Sequence, residues 1–205
     1  MAFSDYKNIS QVQKQYTIKY KEENFIVVQD VEPSRNFVEE FEFNREKMDV
    51  YSSEASRSEV IIFPVLREVW KKYSDKYSLW IQKHISYDKN LSGTPDYIIS
   101  TRSELGKTVL DAPLVIVVEA KKNDFEQGWA QSLAEMVAAQ KINDNANLPV
   151  YGIVTDGKLW EFGKLYQNFF TKNIMNYTID NLAGLFGVLN MIFESVDSEL
   201  DRWAG

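Results

Sequence analysis

Residues 115–123 read Val-Ile-Val-Val-Glu-Ala-Lys-Lys-Asn. Four consecutive β-branched residues predict a strand buried on both faces of a sheet. The run then stops on an acid and two lysines, groups that a core strand has no reason to bury. Either the strand surfaces into solvent there, or it delivers Glu119 and Lys121 to a working site at the sheet's edge. A spacing of two puts both of these side chains on one face of a strand, with Lys122 on the other. Taken alone, such charges are most economically a surface ion pair. The rest of the chain decides.

Upstream, "PDYIIS" (95–100) and "PLVIVVEA" (113–120) are two strand-like runs joined by the polar, turn-rich "TRSELGKTVLDA". Antiparallel pairing is the simplest arrangement, and it sets the start of the first run beside the end of the second. Asp96 and Glu119 then converge on one face with Lys121 close by. Pro95, which lacks an N–H, suits a strand beginning. Downstream, "DFEQGWAQSLAEMVAAQKIND" is the clearest helix: Trp129, Leu133, Met136, Val137 and either Ala139 or Gln140 recur at helical spacing. "PVYGIVTDGKLWEFGKL" predicts a strand, an Asp-Gly turn and a second strand. Residues 178–200 predict a closing amphipathic helix.

From Ser53 to Tyr73 the pattern is also helical, with Ala55, Ser58, Ile62, Val65, Leu66 and Val69 on one stripe. Ser52 or Ser53 is placed to cap its start, and Pro64 implies a kink or an early break. "SLWIQKHISY" alternates as a strand would, with Leu79, Ile81, His84 and Ile85 as inward positions and His84 partly buried. Residues 1–50 form an N-terminal extension that is harder to read. "QYTIKYKEENFIVVQD" suggests one or two strands, and "RNFVEEFEFNREKMDV" is ambiguous between helix and strand. There is no repeat, low-complexity tract or Gly/Ser-rich linker, so the 205 residues are expected to form a single domain. The element order predicts an α/β fold: a mixed central β-sheet flanked by α-helices.

Composition narrows the chemistry. A hydrophobic content of 44% and a charged content of 26% place the chain among globular proteins rather than disordered or membrane ones. No apolar run approaches the roughly 20 residues needed to span a bilayer. The opening residues lack the apolar core of a signal peptide, so a cytoplasmic location is expected. The absence of cysteine excludes disulfides and thiolate metal sites, and a single histidine argues against a zinc site or a Ser-His-Asp triad. A net charge of −7 weighs against tight DNA binding through basic surface alone. It weighs less against an enzyme whose cations bridge carboxylates to phosphates.

Two carboxylates converging in this way repel unless a proton or cation lies between them, and their hard oxygens suit Mg²⁺ or Mn²⁺. A neighbouring lysine can position a water, help deprotonate it, or offset negative charge building on a phosphate. That set suffices for metal-assisted phosphodiester hydrolysis. At these residues the chain resembles a known family: "TPDYIIS…VVEAKK" is similar to the Pro-Asp…Glu-X-Lys signature of the PD-(D/E)XK nucleases. "EASR" at 54–57 followed by "IIFPVL", Gln131 ten residues beyond Lys121, and the "VYGIVTDGKLWEFGKL" hairpin further resemble the N-terminal nuclease domains of type I restriction enzyme R subunits. The likeness spans residues 54–165.

The resemblance implies a restriction-endonuclease-like core and a magnesium- or manganese-dependent endonuclease acting on DNA. It implies Asp96 and Glu119 as metal ligands, with the Ala120 carbonyl as a third. Lys121 becomes the catalytic lysine and Gln131 a supporting residue. A helix carboxylate also assists the metal in this superfamily. Glu54 and Glu59 compete for that role, and the "EASR" match favours Glu54. Cutting both strands calls for two active sites, so a homodimer or a place in a restriction or defence complex is a further expectation. R subunits continue into a helicase-type motor, whereas these residues contain no GxxxxGK[ST] phosphate loop, so no ATP hydrolysis is expected. The alternative is an inactive module that keeps the fold to bind DNA or a partner protein. Lys107, Arg102 and Lys122 are expected as a solvated rim, Lys71, Lys72 and Lys76 as a basic helix end, and Trp129 and Trp160 as core.

Overall fold

The computed structural model describes residues 2–204. Its strands are β1 (Lys19–Glu23), β2 (Tyr77–Ile81), β3 (Ile85–Ser86), β4 (Ser92–Gly93), β5 (Tyr97–Arg102), β6 (Leu110–Ala120), β7 (Val150–Thr155), β8 (Leu159–Tyr166), β9 (Phe169–Asn173) and β10 (Tyr177–Thr178). The helices are α1 (Ile9–Tyr16), α2 (Arg35–Lys47), α3 (Glu54–Arg57), α4 (Phe63–Trp70), α5 (Phe125–Ile142) and α6 (Leu182–Ala204). The main sheet runs β1-β9-β8-β7-β6-β5-β2, with β10 added beside β8; β3 and β4 form a separate two-stranded ribbon. β6 is therefore interior, as its aliphatic run predicts, and Leu114 through Ala120 are all buried.

The expected antiparallel pairing of β5 with β6 is present, with Tyr97 opposite Val118. β6 then crosses through α5 to the parallel strand β7, a βαβ unit of the kind that parallel pairing requires. β7 and β8 form the predicted hairpin. Gly157 takes φ +86° in its turn, a conformation that favours glycine. Asp156 Oδ1 accepts from the N–H groups of Lys158 (2.9 Å) and Leu159 (2.8 Å).

Both faces of the sheet are covered. On one face Phe37, Phe41, Ile62, Val65, Phe186 and Leu189 pack against Tyr97, Ile99, Ile116, Val118 and Phe162. On the other, Trp129, Leu133, Val137 and the alanines of α5 pack against Ile98, Val117, Val150 and Val154. The outer side of α5 meets α1 and the N-terminal turn, where Phe3, Tyr6 and Val12 are buried. Residues 2–50 are thus part of the core rather than an appendage. Within them β1 is the only strand, and the ambiguous stretch is helix α2, capped by Ser34. Strand β9, which the sequence reading did not anticipate, links β1 to the sheet.

The N-cap at Ser53 and the break that Pro64 implies are both present, whereas the inward places of Ile81 and His84 need correction. The helical stretch from Ser53, its N-cap, is split between α3 and α4 by a π-helical turn at Ser58–Ile62, where the Phe63 N–H reaches back to the Ser58 carbonyl. Pro64 explains the break: it has no N–H for residue 60 and its ring crowds that carbonyl, so the turn widens. Tyr97 Oη donates to the Ser58 carbonyl (3.3 Å). β2 ends at Ile81 on the sheet's edge, leaving Ile81 56% exposed rather than inward. His84 lies outside any strand and is exposed, within hydrogen-bonding distance of Ser92 and Thr94. Among the described residues no helix is long and apolar enough to cross a membrane.

Candidate active site

The ends of β5 and β6 build the site. Because Tyr97 faces Val118 across the antiparallel ladder, Asp96 is carried up beside Glu119. The Ala120 N–H donates to Asp96 Oδ2 at 2.8 Å, which fixes this carboxylate against the strand end. Glu119 and Lys121 share a face, and Lys121 Nζ lies 2.8 Å from Glu119 Oε1. The Lys121 N–H donates to the Thr155 carbonyl at 2.9 Å, so strand-like pairing with β7 holds the lysine's backbone just past the end of β6. The quoted stretch ends at Asn123, whose φ of 74° turns the chain away from the sheet; asparagine tolerates this left-handed conformation better than most residues. Asp124 then caps α5, its Oδ1 accepting from the Gln127 N–H at 3.0 Å.

α5 lies over this face. Gly128 permits the close approach: a Cβ there would fall 2.7 Å from Val154 Cγ1 and 3.1 Å from Lys121 Cγ. The aliphatic stem of Lys121 therefore passes directly beneath the first turn of the helix.

The electrostatics follow from enclosure. Glu119 is only 3% exposed, and its carboxyl is pushed up to about 7, first by burial and then by Asp96, with Lys121 opposing both. Burial also raises Asp96, against the Ala120 hydrogen bond and the Lys121 charge. Burial works against the Lys121 ammonium, yet Glu119, Glu54 and Asp96 outweigh it and hold the ammonium above the ordinary lysine value. Lys121 is accordingly a cation at neutral pH.

The two helix carboxylates are placed differently. Glu54 opens α3, and its Oε2 accepts from the Lys122 N–H at 3.2 Å. Its charge acts on both Asp96 and Lys121. Glu59, exposed on the π-helical turn, acts on Tyr97 instead. Arg57 positions α3: its Nη1 donates to the Asp156 carbonyl at 3.0 Å, and the buried guanidinium lies against the Tyr51 ring. Gln131 is buried on α5, but among the described residues no hydrogen bond joins it to Asp96, Glu119 or Lys121.

One residue was missed. Glu135, one helical turn beyond Gln131 on the same side of α5, is 1% exposed and near enough to Glu119 for the two carboxyls to act on each other. No donor reaches its Oε2. Burial first, then Glu119 and Asp96, push its carboxyl well above the ordinary range. The available signal was a lone acid among alanines in "QSLAEMVAAQ", at the spacing of four that aligns it with Gln131.

The rim behaves as expected. Lys122 is exposed and donates to the Ser52 carbonyl (3.2 Å), and Arg102 donates to the Ser74 carbonyl (2.8 Å). Lys71 pairs with Glu68, Lys76 with Asp197, and Lys72 donates to Asn190, so each basic helix-end lysine has a structural partner. Trp129 and Trp160 are fully buried core residues.

Asp96 and Glu119 supply hard oxygen donors at a buried strand end, a donor set that fits Mg²⁺ or Mn²⁺, since magnesium keeps several waters and is commonly held by one or two carboxylates. Among the described residues no group of three His, Asp or Glu side chains is arranged to hold an ion without help from main chain or water. No protein-family model matches the chain, and no curated protein is significantly similar to it.

Proposed function

We propose that this protein is a metal-dependent nuclease of restriction-endonuclease-like fold that hydrolyses DNA phosphodiester bonds. The observation that carries the reading is the convergence of Asp96 and Glu119 from adjacent antiparallel strands, with the Lys121 ammonium 2.8 Å from Glu119 on the same face. Asp96, Glu119 and the Ala120 carbonyl are the groups that would hold a Mg²⁺ or Mn²⁺ ion. Such an ion, when bound, lowers the pKa of its water and offsets charge on the phosphate.

The chain's own residues supply the rest. Lys121, held as an ammonium, offers charge and N–H donors to a phosphate oxygen or to the attacking water, which favours electrostatic stabilisation over service as a base. The Ala120 N–H orients Asp96. Glu54, at the start of α3, holds the Lys122 backbone and with it the exit from β6.

The test is cleavage of plasmid and oligonucleotide DNA in Mg²⁺ or Mn²⁺ by wild type, Asp96→Ala and Lys121→Ala. Both variants should fold and lose at least about 100-fold in rate. Equal cleavage by all three would sink the assignment. A second reading is a DNA- or partner-binding module without catalysis, favoured by the fact that Glu119 is already engaged by Lys121. Calorimetry distinguishes the two: no heat of Mg²⁺ or Mn²⁺ binding at millimolar concentration, even with DNA present, supports the module.

A further inference from the structure

The two edges of the main sheet are built differently. At one edge β1 reads Lys-Tyr-Lys-Glu-Glu, exposed throughout, a charged rim of the kind that keeps a stray strand from adding to the sheet. At the other edge β2 reads Tyr-Ser-Leu-Trp-Ile and carries no charge. The pairing with β5 decides where its backbone points. The Arg102 N–H donates to the Lys76 carbonyl (2.8 Å) and the Gln82 N–H to the Asp96 carbonyl (2.9 Å), so the even-numbered residues of this stretch bond to β5. By the alternation of an antiparallel ladder, the N–H and C=O groups of Tyr77, Leu79 and Ile81 point away from it. The Trp70 indole N–H takes the Tyr77 carbonyl (2.9 Å). No strand lies beside Leu79 and Ile81, and Ile81 is 56% exposed.

Beside this open edge is a hollow of about 360 Å³ whose lining includes Trp70, Leu79, Trp80, Arg102 and Lys107 and contains no acid. Lys83 stands close by, its Nζ 5.1 Å from the centre of the Trp80 ring. Among the described residues Lys83, Arg102 and Lys107 form no ion pair with a carboxylate, although the chain carries a net charge of −7.

We propose that β2 is a docking edge for an extended acidic segment of another protein. The backbone of that segment pairs with Leu79 and Ile81, its carboxylates meet Lys83, Arg102 and Lys107, and its apolar side chains enter the hollow. In strand addition of this kind main-chain hydrogen bonds give affinity, and the pockets alongside give specificity. The open backbone favours a peptide over a nucleic acid: Leu79 and Ile81 present carbonyl acceptors as well as N–H donors, and a phosphate can use only the donors. The unpaired cations disfavour a second copy of this chain, because a two-fold contact sets the same patch against itself. The inference does not rest on the nuclease reading.

The test uses the full chain and two labelled probes, a peptide of repeating Glu-Val and one of repeating Lys-Val, read by fluorescence anisotropy and amide hydrogen exchange. The Glu-Val peptide should bind at least about tenfold more tightly than the Lys-Val peptide, and more weakly as salt rises. It should slow exchange of the Leu79 and Ile81 amides by about tenfold or more, while the Ser78 and Trp80 amides, already bonded to β5, change little. Ile81→Pro removes one outward N–H at an edge position, where proline is tolerated, and should fold while losing about tenfold in affinity for the Glu-Val peptide. Lys107→Glu alters an exposed side chain, leaves the backbone edge intact, and should weaken that peptide by about fivefold or more. Should Ile81→Pro fail to fold, Lys107→Glu and the exchange pattern still decide.

Equal binding of the two peptides, or no binding of the Glu-Val peptide at about 1 mM, would overturn the proposal. So would binding that leaves exchange at Leu79 and Ile81 unchanged. Protection of those amides by a single-stranded oligonucleotide and not by the peptide would make the edge a nucleic-acid surface. A wild-type dimer in sedimentation that Ile81→Pro dissolves would make it an interface between copies. Either result overturns the assignment to an acidic peptide.

Discussion

Gly128 and Lys121 occupy space that only a residue without a side chain could share: a Cβ at position 128 would lie 3.1 Å from Lys121 Cγ and 2.7 Å from Val154 Cγ1. Val154 is in the interior of the sheet, so the lysine stem is the part free to move. Gly128→Ala should therefore displace Lys121 from Glu119 and lower DNA cleavage by about tenfold or more. The gain in helix propensity, up to about 1 kcal/mol, should partly offset an overpacking cost of about 1–3 kcal/mol. Single-turnover cleavage and urea denaturation measure the two effects separately; unchanged cleavage would mean that the lysine tolerates the shift.

The paired lysines of the opening stretch should behave unequally. Lys121 is half-buried against Glu119, whereas Lys122 is exposed and its side chain reaches only the Ser52 carbonyl. The contact that ties Lys122 to Glu54 uses the backbone N–H, which any residue but proline keeps. Lys122→Ala should cleave within about threefold of wild type and change stability by less than about 0.5 kcal/mol, while Lys121→Ala is inactive. Similar losses in both variants would place the two lysines in one electrostatic role.

Stability should depend on pH through the buried acids. Glu119 titrates near 4.5 ordinarily and is pushed up to about 7 in the fold by burial and by Asp96. The folded state keeps a proton over a range in which the unfolded chain has lost it, so this contribution is full below about pH 4.5 and is lost as pH rises through 7. Glu135 is shifted in the same direction. Glu119→Gln, permanently neutral, should gain on wild type between pH 5 and pH 8, by on the order of 2 kcal/mol. Urea titrations at several pH values test this. A stability difference that does not change with pH would show that Glu119 ionises freely in the folded protein.

Arg57 anchors the entry helix of the site. It is 6% exposed, its Nη1 lies 3.4 Å from Asp156 Oδ2 and 3.0 Å from the Asp156 carbonyl, and its Nη2 donates to the Tyr51 carbonyl (3.4 Å). Removing one partner leaves Asp156 nearly buried without its cation, so Arg57→Ala should cost roughly 3 kcal/mol. Lysine should restore little of this, because a single ammonium cannot span the hairpin turn and the Tyr51 carbonyl together. Thermal denaturation of the two variants checks both statements.

The placement of Asp96, Glu119 and Lys121 was legible because the governing rule is local. A spacing of two on a strand fixed Glu119 and Lys121 to one face, and a turn-rich connection between two apolar runs placed Asp96 beside them. The Asp-Gly turn of the β7–β8 hairpin was readable for the same reason. Ile81 and His84 misled because alternation predicts which side a residue faces and not whether anything covers that side; β2 is an edge strand that stops there. β9 and its parallel partner β1 escaped notice because their pairing joins residues about 150 positions apart, which no local pattern encodes.

By itself, then, the sequence determined the strands that meet at the site and the faces that Glu119 and Lys121 share, since side-chain direction along a strand is set within two residues. That Glu54 and not Glu59 acts on both Asp96 and Lys121, that Gly128 lies too close to Lys121 and Val154 for a side chain, and that Glu135 is buried were shown only by tertiary structure. An acid on a helix full of alanines reads as a solvated face. Glu135 is buried because α5 is covered on both sides, by the sheet within and by α1 and the N-terminal turn outside.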